Sequence, residues 1–324
     1  MYNNIYINFR KEKRIKHMNY IVIILFIAIS IIFIMSFFIY HRSTMATIVE
    51  FVIKLIYKIF DIDDKLINQE NKLPKYKFKS KVIKSIYKEF EVDEISCSEN
   101  IKSITIYLHG GSYTNEASYF HYRFVDNLSE ALNTKVILVH YPLSPEYNWK
   151  DSFNLLESLY LEITKNTSKK IFIMGDSAGG GLALAFTEYL NNKKIKQPNK
   201  IVLISPWIDI SMSNEEMRNY EAIDPMLEID ELIPIAKKWK GNLDIKDYRV
   251  SPLYGNLKNL NNILLFVGER EILYPDIILL NKKLKKAQVN TKLIIGKSMN
   301  HIYPLYPIKE AKEALQEIAD FINN

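Results

Sequence analysis

Gly175-Asp176-Ser177-Ala178-Gly179-Gly180 is the stretch of this sequence that decides its fold. It follows an apolar run at 170–174, typical of a buried strand, and it leads into a helical pattern at 178–191. A G-x-S-x-G motif between a strand and a helix is typical of a nucleophile elbow, a strained turn that exposes the serine hydroxyl. No G-K-[ST] or G-x-G-x-x-G accompanies it, so a phosphate-binding loop is disfavoured, and a purely structural turn is the remaining alternative.

A second glycine turn, Leu108-His109-Gly110-Gly111-Ser112, ends the apolar run at 101–108. It matches the HGGG-type loop whose backbone amides bind the oxyanion in lipases and esterases. We expect the amides of Gly110, Gly111 and Ala178 to form such an oxyanion hole. A tight turn that merely requires glycine is the alternative, but the pairing with G-x-S-x-G favours the oxyanion hole.

The general base follows from chain order. In hydrolases with this motif the nucleophile comes first, then an acid, then a histidine. The sequence has six histidines, and only His301 follows Ser177. His301 lies in a loop after the last predicted strand, where the base belongs. The acid should follow the apolar run at 263–267, and Glu269, Glu271 and Asp276 are all candidates there.

Strand-like and helix-like patterns alternate through residues 81–324. This alternation predicts an α/β domain, with a mostly parallel central sheet covered by helices on both faces. The predicted strands are 82–90, 101–108, 135–139, 170–174, 200–204, 263–267 and 291–295, and the predicted helices are 119–132, 152–164, 178–191, 275–287 and 308–322. Residues 209–247 form a long mixed insertion that we expect to be a helical cap over the strand ends.

An uncharged apolar stretch at 19–40 precedes this domain. It is long enough to cross a hydrocarbon core of about 30 Å as one transmembrane helix. A cleaved signal peptide is the alternative, but its apolar core would be shorter and would end at a small-residue cleavage site. The tail at 1–18 carries five Lys and Arg residues close to the span, whereas Arg42 alone lies close behind it, so the tail is expected in the cytoplasm and the domain outside.

Residues 41–80 connect the span to the domain. The segment at 47–60 has an amphipathic helical pattern in which Glu50, Lys54 and Lys58 share one face. It can lie on the bilayer or cover the next domain, and we favour the covering role because a hydrolase cleft needs a lid. Residues 61–80 are polar and rich in lysine, which predicts a linker.

The composition of the sequence argues against a nucleic-acid-binding protein and excludes cysteine-based sites. The net charge of +6 comes from mixed charges plus the N-terminal basic cluster, which gives no nucleic-acid footprint. Cys97 is the single cysteine, so an internal disulfide or a C-x-x-C site is impossible. Oligomeric state is left open.

From about residue 80 onward the sequence resembles the hormone-sensitive-lipase-like (alpha/beta hydrolase fold-3) esterases. The resemblance is carried by His109-Gly110-Gly111, Gly175–Gly180, Tyr141-Pro142-Leu143-Ser144-Pro145-Glu146, Ser205-Pro206-Trp207-Ile208-Asp209 and Asp224-Pro225-Met226. It implies the α/β-hydrolase fold, carboxylic-ester hydrolysis without metal or organic cofactor, and a cap built partly from the N-terminal side. The family's acid stands two residues before a leucine, which matches Glu271 before Leu273. Three positions depart from the family pattern: Ser112 replaces a glycine, Pro142 an arginine and Glu271 an aspartate.

We therefore expect a serine hydrolase that cleaves a small-molecule or lipid-like carboxylic ester, of short or medium acyl length, deacetylation included. Ser177, His301 and Glu271 would form its triad. Two alternatives remain: a peptidase or amidase with the same triad, and a non-catalytic binding protein on this fold.

Overall fold

The computed structural model describes residues 20, 23–24, 27–59 and 76–324. The predicted cytoplasmic tail, part of the predicted span and residues 61–75 of the predicted linker lie outside these residues. All further structural statements concern the described part of the chain.

A single eight-stranded sheet forms the centre of the molecule. Its strands are β1 (Lys81–Tyr87), β2 (Phe90–Ser96), β3 (Ser103–Leu108), β4 (Thr134–Val139), β5 (Lys170–Asp176), β6 (Lys200–Ile204), β7 (Asn262–Gly268) and β8 (Thr291–Gly296). They pair in the order β1-β2-β4-β3-β5-β6-β7-β8. β2 runs antiparallel to both β1 and β4, and all other pairs are parallel. The predicted α/β architecture with a mostly parallel sheet is confirmed.

The helices are α1 (Thr44–Lys54), α2 (Tyr119–Leu132), α3 (Trp149–Asn166), α4 (Ser177–Asn192), α5 (Arg218–Glu221), α6 (Ile229–Trp239), α7 (Tyr274–Lys286) and α8 (Lys309–Asn323). One apolar core contains buried residues of α3, α4, α6 and α7. A second core contains those of α1, α2 and α8. Alternate residues of β3 supply the two cores, with Ile106 in the first and Tyr107 in the second, so helices cover both faces of the sheet.

The first predicted strand was wrong in one respect. The run at 82–90 is a hairpin, in which Lys88 and Glu89 turn with positive φ values of 48° and 73° from β1 into β2. β2 itself was not predicted, because its sequence, FEVDEIS, alternates acidic and apolar residues in a way that does not stand out from the flanking polar sequence. It is nevertheless the strand that joins the hairpin to β4.

The N-terminal segment contains two helices that meet at a sharp bend. Ile27–Ile39 and Thr44–Lys58 are apolar helical segments at 107° to one another. No single helix among the described residues is long and apolar enough to cross a membrane; this pair meets that test only when taken together. The predicted span at 19–40 therefore stays a prediction. The predicted amphipathic helix at 47–60 corresponds to α1 and the π-helical turn Leu55–Ile59 that continues it.

Candidate active site

Ser177 stands at the junction of β5 and α4. Its φ of +50° lies in the left-handed region, which is strained for a non-glycine residue, as expected of a nucleophile elbow. The turn is tight because a Cβ on Gly179 would lie 2.1 Å from the carbonyl oxygen of Leu108. Only glycine therefore permits β3 and the start of α4 to approach this closely. The elbow predicted from the sequence is present.

His301 lies in the loop after β8, and its Nε2 is 2.9 Å from Ser177 Oγ. Its Nδ1 lies 3.4 Å from Glu271 Oε2, which is long for a hydrogen bond and close enough for strong charge interaction. Burial by itself would lower the pKa of His301, but the neighbouring Glu271 carboxylate outweighs burial, and the pKa is raised. The structure thus brings together the three side chains that the sequence analysis proposed for a triad.

The other two acid candidates lie elsewhere. Glu269 Oε2 accepts a hydrogen bond from the Ser298 amide at 2.8 Å, so it holds the start of the histidine loop. Asp276 is in the first turn of α7, where its Oδ1 accepts from Asn214 Nδ2 at 2.7 Å. Asp276 also lines a separate cavity with Asp209. Of the three candidates, only Glu271 approaches His301.

Two residues to which the sequence assigned no role hold Glu271 and His301 in place. Ser205, just after β6, donates its hydroxyl to Glu271 Oε2 at 2.8 Å and accepts from the Ile302 amide at 3.1 Å. Asp224 accepts from the Ile272 amide at 2.9 Å, next to Glu271. Burial raises the pKa of Asp224 to about 6. The S-P-W and D-P-M motifs that contain these residues were recognised from the sequence, but the contacts exist only in the fold.

The glycine turn after β3 differs from expectation at Gly110. The Gly110 amide donates to Asp176 Oδ1 at 3.1 Å, so in this arrangement it already has an acceptor inside the protein. Gly111 and Ser112 instead line the cavity that contains Ser177. Ala178 lies in the first turn of α4, where backbone amides have no intrahelical acceptor. Gly111 and Ser112 are therefore the residues of this turn that lie at the cavity, and the predicted oxyanion hole stays a prediction.

Asp176 fixes this turn beside the nucleophile. Besides the Gly110 amide, it binds the Tyr107 hydroxyl at 2.7 Å and His121 Nε2 at 3.1 Å. His121 Nδ1 accepts from the Ser118 amide, so its proton is on Nε2 and points to Asp176. Burial would raise the pKa of Asp176, but His121 and Tyr107 hold it below its usual range. The first variable position of G-x-S-x-G, directly before the serine, is thus occupied by a buried, ionised carboxylate.

A histidine cluster behind the turn has the composition of a metal site. Ligand atoms of His109, Glu116 and His140 lie within 4.8 Å of one another. However, His140 binds the Asp93 and Glu116 carboxylates at 3.3 Å each. Burial would lower the pKa of His140, but these hydrogen bonds raise it to about 9. A protonated His140 therefore already supplies the positive charge that the two carboxylates require.

A cavity of about 1230 Å³ opens over Ser177 and His301. It exceeds the range of about 300–1,000 Å³ usual for small-molecule pockets. Its walls come from five parts of the chain: α1 with the turn that follows it, the segment from the glycine turn after β3 to the start of α2, the loop after β4, the predicted cap insertion with α6, and the loop that carries His301. The apolar lining residues include Ile48, Val49, Val52, Ile53, Ile56, Phe120, Leu143, Met226, Leu227, Leu232 and Ile235. The site can therefore hold a largely apolar ligand against a serine nucleophile.

Comparisons with known proteins agree with this geometry. Residues 105–305 match the model of a family described as alpha/beta hydrolase fold. An esterase from Acinetobacter venetianus is 29% identical over 234 residues, which are 71% of this chain and 77% of that protein. An acetyl-hydrolase from Streptomyces hygroscopicus is 26% identical over 221 residues, 67% of this chain and 74% of that protein. The crystal structure of an esterase from the bacterial hormone-sensitive lipase family superposes with a TM-score of 0.78 at 25% identity, covering 86% of this chain and 97% of that one.

Proposed function

The chain belongs to the alpha/beta hydrolase fold family and is a carboxylic ester hydrolase, and from that premise we propose that Ser177, His301 and Glu271 are its catalytic triad. The observation that carries the proposal is the 2.9 Å contact between Ser177 Oγ and His301 Nε2 at the carboxyl ends of parallel strands. Glu271, 3.4 Å behind the imidazole, supplies the carboxylate that such a base requires.

The reaction follows from this order of groups. Ser177 Oγ attacks the ester carbonyl while His301 Nε2 takes the hydroxyl proton, and the imidazolium formed is stabilised by Glu271. His301 then returns the proton to the leaving alkoxide, which departs as the alcohol. Water enters, loses a proton to His301 and attacks the acyl-enzyme. Return of that proton to Ser177 Oγ releases the carboxylic acid and restores the enzyme.

The tetrahedral intermediate needs amide donors for its oxyanion. Gly111, Ser112 and Ala178 are the amides that we assign to it, because the Gly110 amide is engaged with Asp176. The N-terminal end of α4 adds its dipole to the same spot, which favours negative charge there. Removing one such donor costs about 2.7–4 kcal/mol of transition-state stabilisation.

The proposed substrate is an acyl ester with an apolar acyl group, since apolar side chains dominate the cavity wall. Deacetylation is included, given the acetyl-hydrolase among the similar proteins. We also propose that the apolar stretch at 19–40 anchors the enzyme in the membrane, with the basic tail in the cytoplasm and the catalytic domain outside.

The test is hydrolysis of p-nitrophenyl acetate and butyrate, with an aminoacyl-anilide alongside. Ser177→Ala should remove nearly all ester turnover, since loss of a triad member leaves only about 10³–10⁴-fold over water. Ser129→Ala is the control, because Ser129 is also buried and its hydroxyl bonds only backbone groups. Full activity of Ser177→Ala would refute the mechanism, an inactive wild type would favour a binding protein, and faster anilide cleavage would indicate an amidase.

A further inference from the structure

One face of α1 is apolar and exposed although the helix is packed on the domain. The four residues Met45, Ile48, Phe51 and Val52 lie on neighbouring turns and form this surface, which we name the outer face. Phe51 is 63% exposed and Met45 50% exposed. Contiguous exposed apolar residues of this kind mark a surface that contacts something other than water.

The side of α1 that faces the domain closes the catalytic cavity. Ile53 is buried in the core, and Val49 and Ile56 line the cavity that holds Ser177. Ile48 and Val52 belong to both sides, since they are exposed and also line the cavity. A single helix, α1, therefore separates the surroundings of the protein from the cavity that holds Ser177.

The bend before α1 orients the outer face relative to the predicted span. The two helices meet at 107°, close to a right angle. If the first helix runs along the bilayer normal, α1 lies nearly parallel to the bilayer surface. The exposed apolar side chains of Phe37, Phe38 and Ile39 stand directly before the bend, so exposed apolar residues lie on both sides of it.

The bend is fixed by polar contacts and is not a free hinge. Ser36 Oγ donates to Thr47 Oγ1 at 2.8 Å across it. Arg42, whose side chain is 2% exposed, binds Glu50 of α1 and donates to the Ser298 carbonyl at 2.6 Å. Ser43 binds Glu310 of α8 through both its amide and its hydroxyl. These contacts hold span, α1 and catalytic domain in one orientation.

We propose that the outer face of α1 docks on the lipid bilayer and that the enzyme takes its ester from the membrane, as a lipid with an acyl chain long enough to use the apolar cavity. This inference rests on the proposed function, since it assigns the substrate class of the same serine site. The occupant is a bilayer because exposed apolar residues lie on both sides of the bend, and because α1 runs nearly at a right angle to the apolar helix of the predicted span.

The first experiment tests whether the outer face docks on the bilayer, and it does not measure activity. The full chain with Cys97→Ser, its sole cysteine removed, is labelled with a nitroxide at Phe51→Cys and reconstituted into phosphatidylcholine vesicles. Leu161→Cys is the control, because Leu161 is 44% exposed on α3, on the other face of the sheet. We expect the label at position 51 to collide with oxygen more than with a water-soluble nickel chelate, and the label at 161 to do the reverse. Equal water exposure at both positions, or spin–spin broadening at 51 from a second copy, would overturn the inference.

The substrate half compares two esters in the same vesicles. Phe51→Asp should leave p-nitrophenyl butyrate turnover unchanged and lower turnover of membrane-dissolved p-nitrophenyl palmitate about tenfold, the factor that corresponds to about 1.4 kcal/mol. Leu161→Asp should change neither. A wild type that cleaves butyrate and leaves palmitate intact would refute the inference while sparing the proposed function; failure on both esters would refute the proposed function itself. Equal loss on both esters in Phe51→Asp would mean that the outer face serves folding, which also contradicts docking.

Discussion

At the residue scale, the carboxylate beside His301 Nδ1 belongs to a glutamate that is held from two directions. Ser205 Oγ and the Gly268 amide both donate to Glu271 Oε2, at 2.8 Å and 3.4 Å. Asp224 holds the amide of the next residue, Ile272. The longer side chain of glutamate therefore reaches His301 from a loop whose backbone and carboxylate are both fixed, which is why an aspartate is not required here.

The negative charge of Glu271 should affect the pH dependence of kcat/KM. The pKa of His301 is raised, and the base must be neutral, so kcat/KM should fall as pH drops through a value above the ordinary histidine pKa of about 6.5. Glu271→Gln should move this inflection to lower pH and reduce kcat by about 10⁴-fold, as expected when the imidazole loses its orienting carboxylate. pH–rate profiles measure both effects. Asp276→Asn is the control. If the inflection moves in that variant and not in Glu271→Gln, then Asp276 and not Glu271 is the acid of the triad.

Ser205 offers a separate test of positioning. Ser205→Ala removes the hydroxyl that joins Glu271 to the Ile302 amide, next to His301. A hydrogen bond to a charged group contributes about 1.5–3 kcal/mol, so kcat should fall about 10–150-fold, with KM little changed. The pH at which kcat/KM has its inflection should also shift, whereas a loss of folding stability alone would leave that pH unchanged. Ser152→Ala, at a buried serine bonded to the Pro142 carbonyl, should have normal kinetics; an unshifted profile in Ser205→Ala would contradict the role.

At the element scale, α1 is attached to the catalytic loops by charge. Glu50 binds Arg42 at 2.5 Å and Arg270 at 3.2 Å, and Arg270 directly precedes Glu271. Arg42 reaches the Ser298 carbonyl in the loop that carries His301. α1, which lines the cavity, is thus joined by one cluster of charged residues to the loops that carry Glu271 and His301. Glu50, which belongs to the polar face of the amphipathic helix α1, therefore points into the protein.

Breaking that cluster should loosen α1. Glu50→Ala leaves Arg42 buried without its carboxylate, and removal of one partner from a buried ion pair costs about 3–5 kcal/mol. We expect faster hydrogen exchange over α1 and a lower unfolding temperature for the full chain in detergent. Lys54→Ala is the matched control on the same helix, since Lys54 is exposed, and it should change neither quantity. Equal protection of α1 in both variants would show that apolar packing alone holds the helix.

At the scale of the whole molecule, the arrangement joins a predicted membrane span to a sheet whose strand ends carry the chemistry. Residues after β3, β5, β6, β7 and β8 all meet at one edge, because parallel strands place their carboxyl ends together. α1 reaches that same edge and forms part of the cavity wall. The N-terminal helical segment and the residues of the candidate site are therefore neighbours in space, although they lie far apart along the chain.

The proposed topology has a direct test. With the basic tail in the cytoplasm, protease added to intact protoplasts should digest the catalytic domain, while an epitope placed at the N-terminus stays protected. Lysed protoplasts serve as the control in which both are digested. A domain that stays protected until lysis would reverse the orientation, and a mature form beginning near residue 41 would show that the stretch is a cleaved signal peptide.

Local sequence determined much of this protein. The alternation of strand and helix patterns, the G-x-S-x-G elbow and the order of Ser177 and His301 along the chain are all properties of neighbouring residues or of chain order. They predicted the α/β sheet, the turn at Ser177 and the placement of His301 in a loop after the last strand, because turn chemistry and hydrophobic periodicity act over a few residues.

Only the tertiary structure decided the rest. Which of three carboxylates faces His301, that Asp176 captures the Gly110 amide, and that Ser205 spans the acid and base loops all depend on loops brought together from distant parts of the chain. β2 was missed for the same reason, since an alternating acidic strand is stabilised by its partners β1 and β4 and not by its own sequence. The inward direction of Glu50 likewise requires Arg42 and Arg270, 8 and 220 residues away, to be folded against it, because a charge is buried only where opposite charge is already placed.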